Sequence, residues 1–197
     1  MRYEPDHKEQ TRQRVLKVAA RAIRAEGAHR VAVAKVMAKA GLTVGGFYAH
    51  FDSKDDLIAA AIEEMFAEAG SHLTQETDAR SPAQALAVYI DFYLSPAHRD
   101  ARATGCPMPS LAADLPRLTE KARQRFSAGV VGLRRRVADW LAVLGHADPE
   151  AEASSMIAEL VGALSLARGE PDPAASDAIL DRSKAALKRR FALEYRP

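Results

Sequence analysis

The 197 residues are enough for one large domain or for a small module joined to a larger one, and 48% of them are hydrophobic, which predicts a sizeable core. A single cysteine excludes an internal disulfide framework and a cysteine-based zinc site, and the six histidines contain no HExxH pair. The N-terminal ten residues lack an apolar core and no apolar run reaches about 18 residues, so we expect a cytoplasmic protein without membrane segment, metal or cofactor.

The net charge of +2 hides an uneven distribution along the chain. Residues 1–54 contain 11 Lys/Arg and 5 Asp/Glu, whereas residues 55–197 contain 17 and 21. A compact basic segment suits a polyphosphate partner, because neutralised phosphates release their condensed counterions. Uneven charge is also common on the solvated faces of helical proteins, so charge alone leaves both interpretations open.

The N-terminal segment predicts four helices. Apolar residues recur at steps of three and four over residues 8–26, and Gly27 follows as a C-terminal stop. A shorter pattern covers residues 33–40 and ends at Gly41, and a third segment begins after Thr43. Asp52 or Ser53 then caps a fourth, long helix whose first turn is acidic.

The rest of the chain predicts four further long or medium helices separated by proline and glycine breaks. They cover about residues 82–95, 116–144, 149–168 and 174–191. The stretch TGCPMPSLAADLP predicts a loop with at most one short helix, and no strand pattern appears. We therefore expect an all-α fold, with a small basic head over residues 1–54 and a larger helical body over residues 55–197.

The stretch AKAGLTVGGFYAHFDSKDDL predicts a helix-turn-helix, because a short helix ends at Gly41 and another begins at Thr43. Two adjacent glycines near the start of a helix cost stability, but they allow its backbone to approach phosphates closely. Phe47 and Phe51 are expected in the core. Thr43 is expected to cap the helix. The candidate DNA-binding residues are Thr43, Val44, Gly45, Gly46, Tyr48, His50 and Lys54.

The same stretch resembles the DNA-binding signature of TetR-family transcriptional regulators. The matching positions are Ala40, Gly41, Leu42, Thr43, Gly45, Phe47, Tyr48, Phe51, Ser53, Lys54 and Leu57. The resemblance implies a homodimer, a three-helix head that binds double-stranded DNA, and a body that binds a small-molecule effector and dimerises through its last two helices. Two positions depart from the family pattern: Ala32 removes the usual side-chain cap of the second helix, and Gly46 removes a side chain that could contact a base.

Candidate residues in the body are apolar, and no constellation there demands catalysis; Asp91, His98 and Asp100 are expected to be surface residues. The resemblance indicates which elements enclose the effector pocket, and the candidate residues on them are Phe92, Tyr93, Cys106, Met108, Leu111, Phe126, Val130 and Met156. Their apolar side chains would suit a hydrophobic or aromatic effector, and Cys106 an electrophilic one. The expected dimer interface consists of Met156, Leu160, Ala163, Leu164, Ala167, Leu180, Leu187 and Phe191. Small residues beside them would let paired helices approach closely.

Cys106 leaves two interpretations open. It precedes a predicted helix start at Pro107, where a helix dipole lowers the pKa of a thiol, so it could sense electrophiles or oxidants. Alternatively, it is a small residue that fills space in the core.

The sequence predicts a ligand-responsive transcriptional repressor that is not an enzyme. It would bind a palindromic operator as a homodimer and leave it when the effector binds. The alternative is an all-α small-molecule-binding or catalytic protein whose basic head serves another partner.

Overall fold

The computed structural model describes residues 4–193, and over that range the chain is all-α, as the sequence predicts. Short 3-10 turns connect nine α-helices within the described residues. The helices are α1 (Glu4–Glu26), α2 (Val33–Lys39), α3 (Lys54–Thr77), α4 (Pro82–Tyr93), α5 (Pro96–Asp100), α6 (Pro107–Leu111), α7 (Glu120–Val143), α8 (Pro149–Gly169) and α9 (Pro173–Arg190).

Proline in the first turn and a polar residue before it set the starts of the body helices. The Ser81 side chain accepts a hydrogen bond from the backbone N–H of Gln84, whose side chain accepts one from the N–H of Ser81, so α4 starts with a capping box. Asp148 and Asp172 cap α8 and α9 in the same way through single hydrogen bonds of 3.1 Å. These caps explain why the predicted boundaries of the long helices lie within a few residues of the observed ones.

The start of α2 has no such cap. Ala32 occupies the N-cap position and makes no side-chain hydrogen bond, which confirms the prediction from the sequence. The missing cap costs helix stability of about 1 kcal/mol.

Helix α5 was absent from the prediction, which ran a single helix to residue 95. Leu94 ends α4, and Ser95 then accepts a hydrogen bond from the N–H of His98 at 3.1 Å, with Pro96 in the first turn of α5. The Ser-Pro pair is the same start signal that precedes α4. The pattern could therefore have been recognised, but the expected helix length concealed it.

The described residues form two compact units. The first contains the residues up to Glu68 together with residues 102–129, and the second contains residues 69–101 and those from Val130 onward. In the first unit, the core side of α1 carries Val15, Ala19 and Ile23, which are fully buried. In the second unit, α8 and α9 pack against each other, and α4 packs against both. The predicted domain boundary after residue 54 remains a prediction.

Candidate functional site

The turn between α2 and the following segment depends on a left-handed glycine. Gly41 has φ +72°, a conformation that side chains with a Cβ rarely adopt. Its N–H donates to the Ala38 carbonyl at 3.0 Å, and the N–H of Leu42 donates to the Met37 carbonyl at 2.9 Å. These two bonds form a Schellman motif, which ends α2 and reverses the chain direction. The sequence AGL is thus the turn of the predicted helix-turn-helix.

The segment after this turn, Val44–Ala49, is a 3-10 helix, which we call the glycine segment. The sequence predicted an ordinary helix capped by the Thr43 side chain, and that cap is absent: Thr43 holds the N-cap position through its backbone carbonyl, which accepts from Gly46 N–H at 3.1 Å. Adjacent glycines have a high backbone entropy cost in a regular α-helix, and short segments form 3-10 turns readily. The Thr43 side chain is therefore exposed and makes no cap hydrogen bond.

The aromatic residues of the glycine segment divide between the core and the surface. Phe47 and Phe51 are buried, as predicted, and their rings stack at 5.6 Å. Tyr48 is 75% exposed and meets the ring of Phe47 edge-on at 5.3 Å, while Val44 is 50% exposed. The two phenylalanines thus anchor the segment to the core, and Val44 and Tyr48 present a partly apolar surface to solvent.

Neither Gly45 nor Gly46 is required by the fold of the chain itself. Neither has a positive φ, and a Cβ at Gly45 would meet nothing within 4 Å. A Cβ at Gly46 would lie 3.9 Å from Met37 Cε and 4.0 Å from Thr43 Oγ1, which is ordinary van der Waals contact. A methyl group would thus fit at either position in the isolated chain.

Two of the predicted phosphate donors, Lys54 and His50, differ in their contacts and in their burial. Lys54 is the first residue of α3, which is capped by Ser53 Oγ, and its Nζ donates to the His29 carbonyl at 3.2 Å. His50 is half-buried, and its pKa lies below the ordinary value, chiefly because of burial and further because Lys8 and Arg12 are close. His50, which follows the glycine segment, thus lies in one neighbourhood with the basic residues Lys8 and Arg12 of α1.

The predicted pocket residues are distributed over both compact units. In the first unit, Met108 and Leu111 are buried on α6, and Phe126 meets Phe66 edge-on at 5.4 Å. In the second, Tyr93 and Met156 are buried, Val130 is half-buried, and Phe92 is 41% exposed. The Phe92 ring stacks between His72 at 4.8 Å and His98 at 5.0 Å. Effector binding by these residues remains a prediction.

His98 is buried rather than at the surface as expected. Its Nδ1 lies 2.8 Å from the Tyr93 carbonyl, so the start of α5 is tied to the end of α4. Burial lowers the pKa of His98 by more than the hydrogen bond to the Tyr93 carbonyl raises it.

The surroundings of Cys106 weaken the argument for a reactive thiol. Cys106 is 8% exposed, and α6, which follows it, has only five residues. A helix this short supplies little of the dipole that was expected to lower the thiol pKa. The filling of space in the core, the alternative interpretation, agrees with the observed burial.

The side chains predicted to form the dimer interface are buried inside the single chain, and their contact with a second copy remains a prediction. None of them is more than 6% exposed. They face the core of the second unit because α8 and α9 pack against each other and against α4. The surface that α8 leaves free carries Gly162, Ser165 and Leu166, of which Leu166 is 66% exposed.

Two structural contacts in the first unit were missed at the sequence level. Arg24, at the end of α1, is buried and binds Glu68 Oε2 at 2.9 Å and the Met65 carbonyl at 3.2 Å. Gly129 of α7 lies against the ring of Phe66, where a Cβ would come within 2.1 Å. An arginine near a helix end is normally expected to be exposed to solvent, so the sequence did not indicate the burial of Arg24. A glycine inside a helical pattern, such as Gly129, does indicate close packing and could have been recognised.

Two further findings concern metal binding and membrane spanning. Among residues 4–193, no three His, Cys, Asp or Glu side chains are grouped so that they could hold a metal ion. No helix of the described part of the chain combines the length and apolarity needed to cross a bilayer.

Comparison with known proteins assigns the helix-turn-helix. Residues 15–61 match the family described as "Bacterial regulatory proteins, tetR family". This range includes most of α1, all of α2, the glycine segment and the start of α3. None of the curated proteins compared with the chain matches it significantly.

Solved structures share the fold over nearly the whole chain. The reduced form of NemR from E. coli has a TM-score of 0.80 at 20% identity, over 91% of this chain and 97% of NemR. A TetR transcriptional regulator from Chloroflexus aurantiacus J-10-FL has a TM-score of 0.80 at 21% identity, over 95% and 96% of the two chains. A TetR-family regulator from Agrobacterium tumefaciens has a TM-score of 0.78 at 21% identity, over 93% and 98%.

Proposed function

Because the chain belongs to the tetR family of bacterial regulatory proteins, we propose that it is a transcriptional repressor that binds a palindromic operator as a homodimer. The observation that carries this proposal is the surface of the glycine segment. Tyr48 is exposed there beside two glycines that neither a positive φ nor lack of space requires. A partner that approaches the backbone closely gives these glycines a role, and the DNA phosphate backbone is such a partner.

In this proposal, Tyr48, Lys54 and the backbone of the glycine segment contact phosphates, and Val44 is the side chain best placed to meet a base. Phosphate contacts fix the register of the protein without reading sequence. Since Gly45 and Gly46 have no side chains, direct readout by this segment is limited. Operator specificity would then depend partly on the shape and deformability of the DNA.

A second copy of the chain is needed to read both halves of a palindrome. Half-sites read together are about 34–36 Å apart, or a multiple of that distance. We propose that the copies meet through the exposed surface of α8, around Gly162 and Leu166, together with the neighbouring surface of α9. Gly162 would allow close approach of the helices, and Leu166 would lose its exposure to water.

A small apolar molecule is the proposed effector. By binding in the body, it would change the distance between the two heads so that both no longer fit the operator. The predicted lining residues are aromatic and aliphatic, which suits a hydrophobic or aromatic ligand. The similar NemR structure is that of a reduced form, which suggests thiol chemistry at Cys106 as a second route to release. The burial of Cys106 makes that route the weaker one.

The test is binding of the protein to the DNA that flanks its own gene. A gel shift at low salt, with a scrambled fragment of equal length as control, should give a retarded band for the flanking DNA at protein concentrations where the scrambled fragment stays free. Deletion of the gene should raise transcription from the bound promoter. Absence of a retarded band at low salt would favour the alternative, an all-α binding or catalytic protein whose basic head serves another partner.

A further inference from the structure

The N-terminal half of α1 brings two more cations to the neighbourhood of the glycine segment. Lys8 and Arg12 are one helical turn apart, so they lie on the same side of α1. The Arg12 guanidinium carbon lies 5.0 Å from the centre of the Phe51 ring, in cation–π geometry. Among the side chains described for residues 7–193, neither Lys8 nor Arg12 forms a direct salt bridge, although Asp56 and Glu64 lie near Arg12. Both cations lie beside the surface proposed to meet DNA.

His50 lies next to these two cations. Its ring centre is 6.4 Å from that of Phe51, and Nδ1 is buried without a hydrogen-bond partner among the described residues. A neutral imidazole can leave Nδ1 as an unprotonated acceptor, whereas a protonated one would bury an unsatisfied N–H. In the protein without DNA, burial and the charges of Lys8 and Arg12 all favour the neutral ring.

We propose that Lys8, Arg12 and His50 form an additional phosphate-binding site on α1, and that His50 takes up a proton when a DNA phosphate occupies it. This inference rests on the proposed DNA-binding function and adds to it a contact outside the helix-turn-helix and a dependence on pH. The negative charge of a phosphodiester complements the positive charges of Lys8, Arg12 and protonated His50. Its approach offsets the repulsion between them and gives the protonated ring an acceptor.

The charged groups facing His50 from α1 are Lys8, Glu9 and Arg12, and Asp52 and Lys54 flank it along its own stretch of chain. Glu9 alone among the three on α1 favours protonation, and it also accepts a hydrogen bond from Gln13 at 3.0 Å. Asp56, which lies near Arg12, is paired with Lys121 Nζ at 2.5 Å. Glu64 also lies near Arg12, and of these two carboxylates Asp56 is already engaged by Lys121, so it competes less with a phosphate.

The direction of the pH effect follows from linkage. In the protein without DNA, burial and the nearby Lys8 and Arg12 hold the His50 pKa below its ordinary value, which favours the neutral ring. If a bound phosphate raises the His50 pKa, the affinity for DNA increases as the pH falls below the His50 pKa of the complex. The affinity becomes constant once the pH is below the lower His50 pKa of the free protein. Uptake of one full proton gives about a tenfold change in affinity per pH unit, and partial uptake a smaller change.

Fluorescence anisotropy with the flanking DNA, from pH 8 to pH 6 at fixed ionic strength, tests the proton uptake. The wild type should bind about three- to tenfold more tightly for each unit of pH lowered within the transition. His50→Gln retains a polar side chain that does not titrate, and it should lose most of this dependence. An identical pH dependence in the two proteins would overturn proton uptake at His50.

The salt dependence of the same binding tests the cation site. Removal of one phosphate contact lowers the slope of log K against log salt by about 0.9. Lys8→Gln and Arg12→Gln should each show this loss, while Arg12→Lys should retain the wild-type slope. Matched controls are Lys17→Gln and Arg21→Gln on the opposite side of α1, and they should leave the slope unchanged.

The outcomes distinguish this inference from the function on which it rests. A wild type that binds no flanking DNA at any pH contradicts the proposed function itself. Binding in which Lys8→Gln and Arg12→Gln behave like the two controls leaves the repressor proposal standing and overturns the additional site. Because Lys8 is exposed, Lys8→Gln gives this answer even if Arg12→Gln loses the packing on Phe51 and unfolds.

Discussion

The glycine segment and α8 use apolar side chains in opposite ways. In α8, the stripe formed by Met156, Leu160 and Leu164 is fully buried inside the chain. In the glycine segment, Phe47 is buried but Val44 and Tyr48 face solvent. An apolar stripe of helical period therefore marks the core of the chain itself, and the surfaces left for partners are found where apolar residues depart from the stripe, as Leu166 does on α8.

The largest expected effect separates core from surface on α8. Leu160→Glu places a carboxylate in a fully buried position without a partner, so the free energy of unfolding should fall by several kcal/mol. Leu166→Glu changes a residue that is 66% exposed and should leave the melting temperature of the single chain nearly unchanged. Circular dichroism on heating measures both variants.

Sedimentation then sharpens the comparison. If the exposed surface of α8 joins two copies, Leu166→Glu should sediment as a folded monomer, because a carboxylate at the interface is desolvated. A Leu166→Glu protein that remains a dimer places the interface on another surface.

The second largest effect concerns a glycine that the core requires. A Cβ at Gly129 would lie 2.1 to 2.5 Å from atoms of the Phe66 ring, so Gly129→Ala forces the ring or the helix to move. Such overpacking destabilises by about 1–3 kcal/mol. Gly132, on the same helix, is the control: a Cβ there meets nothing within 4 Å, and Gly132→Ala should stabilise by about 0.5–1 kcal/mol. Urea titration measures the two variants, and equal stability changes would contradict this packing.

Much of the fold could be predicted because its signals are local. Ser-Pro and Asp-Pro pairs start helices, Gly41 ends α2, and the spacing of apolar residues identifies the buried faces. The helix-turn-helix was recognised for the same reason, since its turn needs a glycine at a fixed position. In contrast, the burial of Arg24 with Glu68 depends on residues 44 positions apart, and periodicity carries no information on such pairs.

The partner surfaces could not be predicted as well. An apolar stripe has the same spacing whether it faces the core of its own chain or a second copy, so the spacing alone does not identify the dimer residues. The 3-10 conformation of the glycine segment was missed because the apolar pattern of Val44, Phe47 and Phe51 also fits an α-helix. There, backbone entropy and the shortness of the segment outweigh the pattern.

A smaller effect tests the exposed side of the glycine segment. Tyr48→Phe removes one hydroxyl from a side chain that is 75% exposed, so stability should hold while DNA affinity falls by about 0.5–1.5 kcal/mol. Lys54→Ala should weaken binding by a similar amount and reduce the salt slope by about 0.9. Both losses should be the same for operator variants with different bases, because phosphate contacts do not read sequence. A loss that depends on the operator base would make Tyr48 a base-reading residue.

The sharpest contrast with Gly129 is expected at Gly45. A Cβ at Gly45 meets nothing within 4 Å and the residue has no positive φ, so Gly45→Ala should stabilise the chain by about 0.5–1 kcal/mol. If DNA approaches the backbone here, the added methyl group should weaken operator binding although the fold becomes more stable. Urea titration and fluorescence anisotropy on the same preparation measure the two quantities. A gain in stability together with a loss of DNA affinity would indicate that Gly45 serves DNA binding and not the fold. Unchanged affinity would show that DNA does not approach the backbone at this residue.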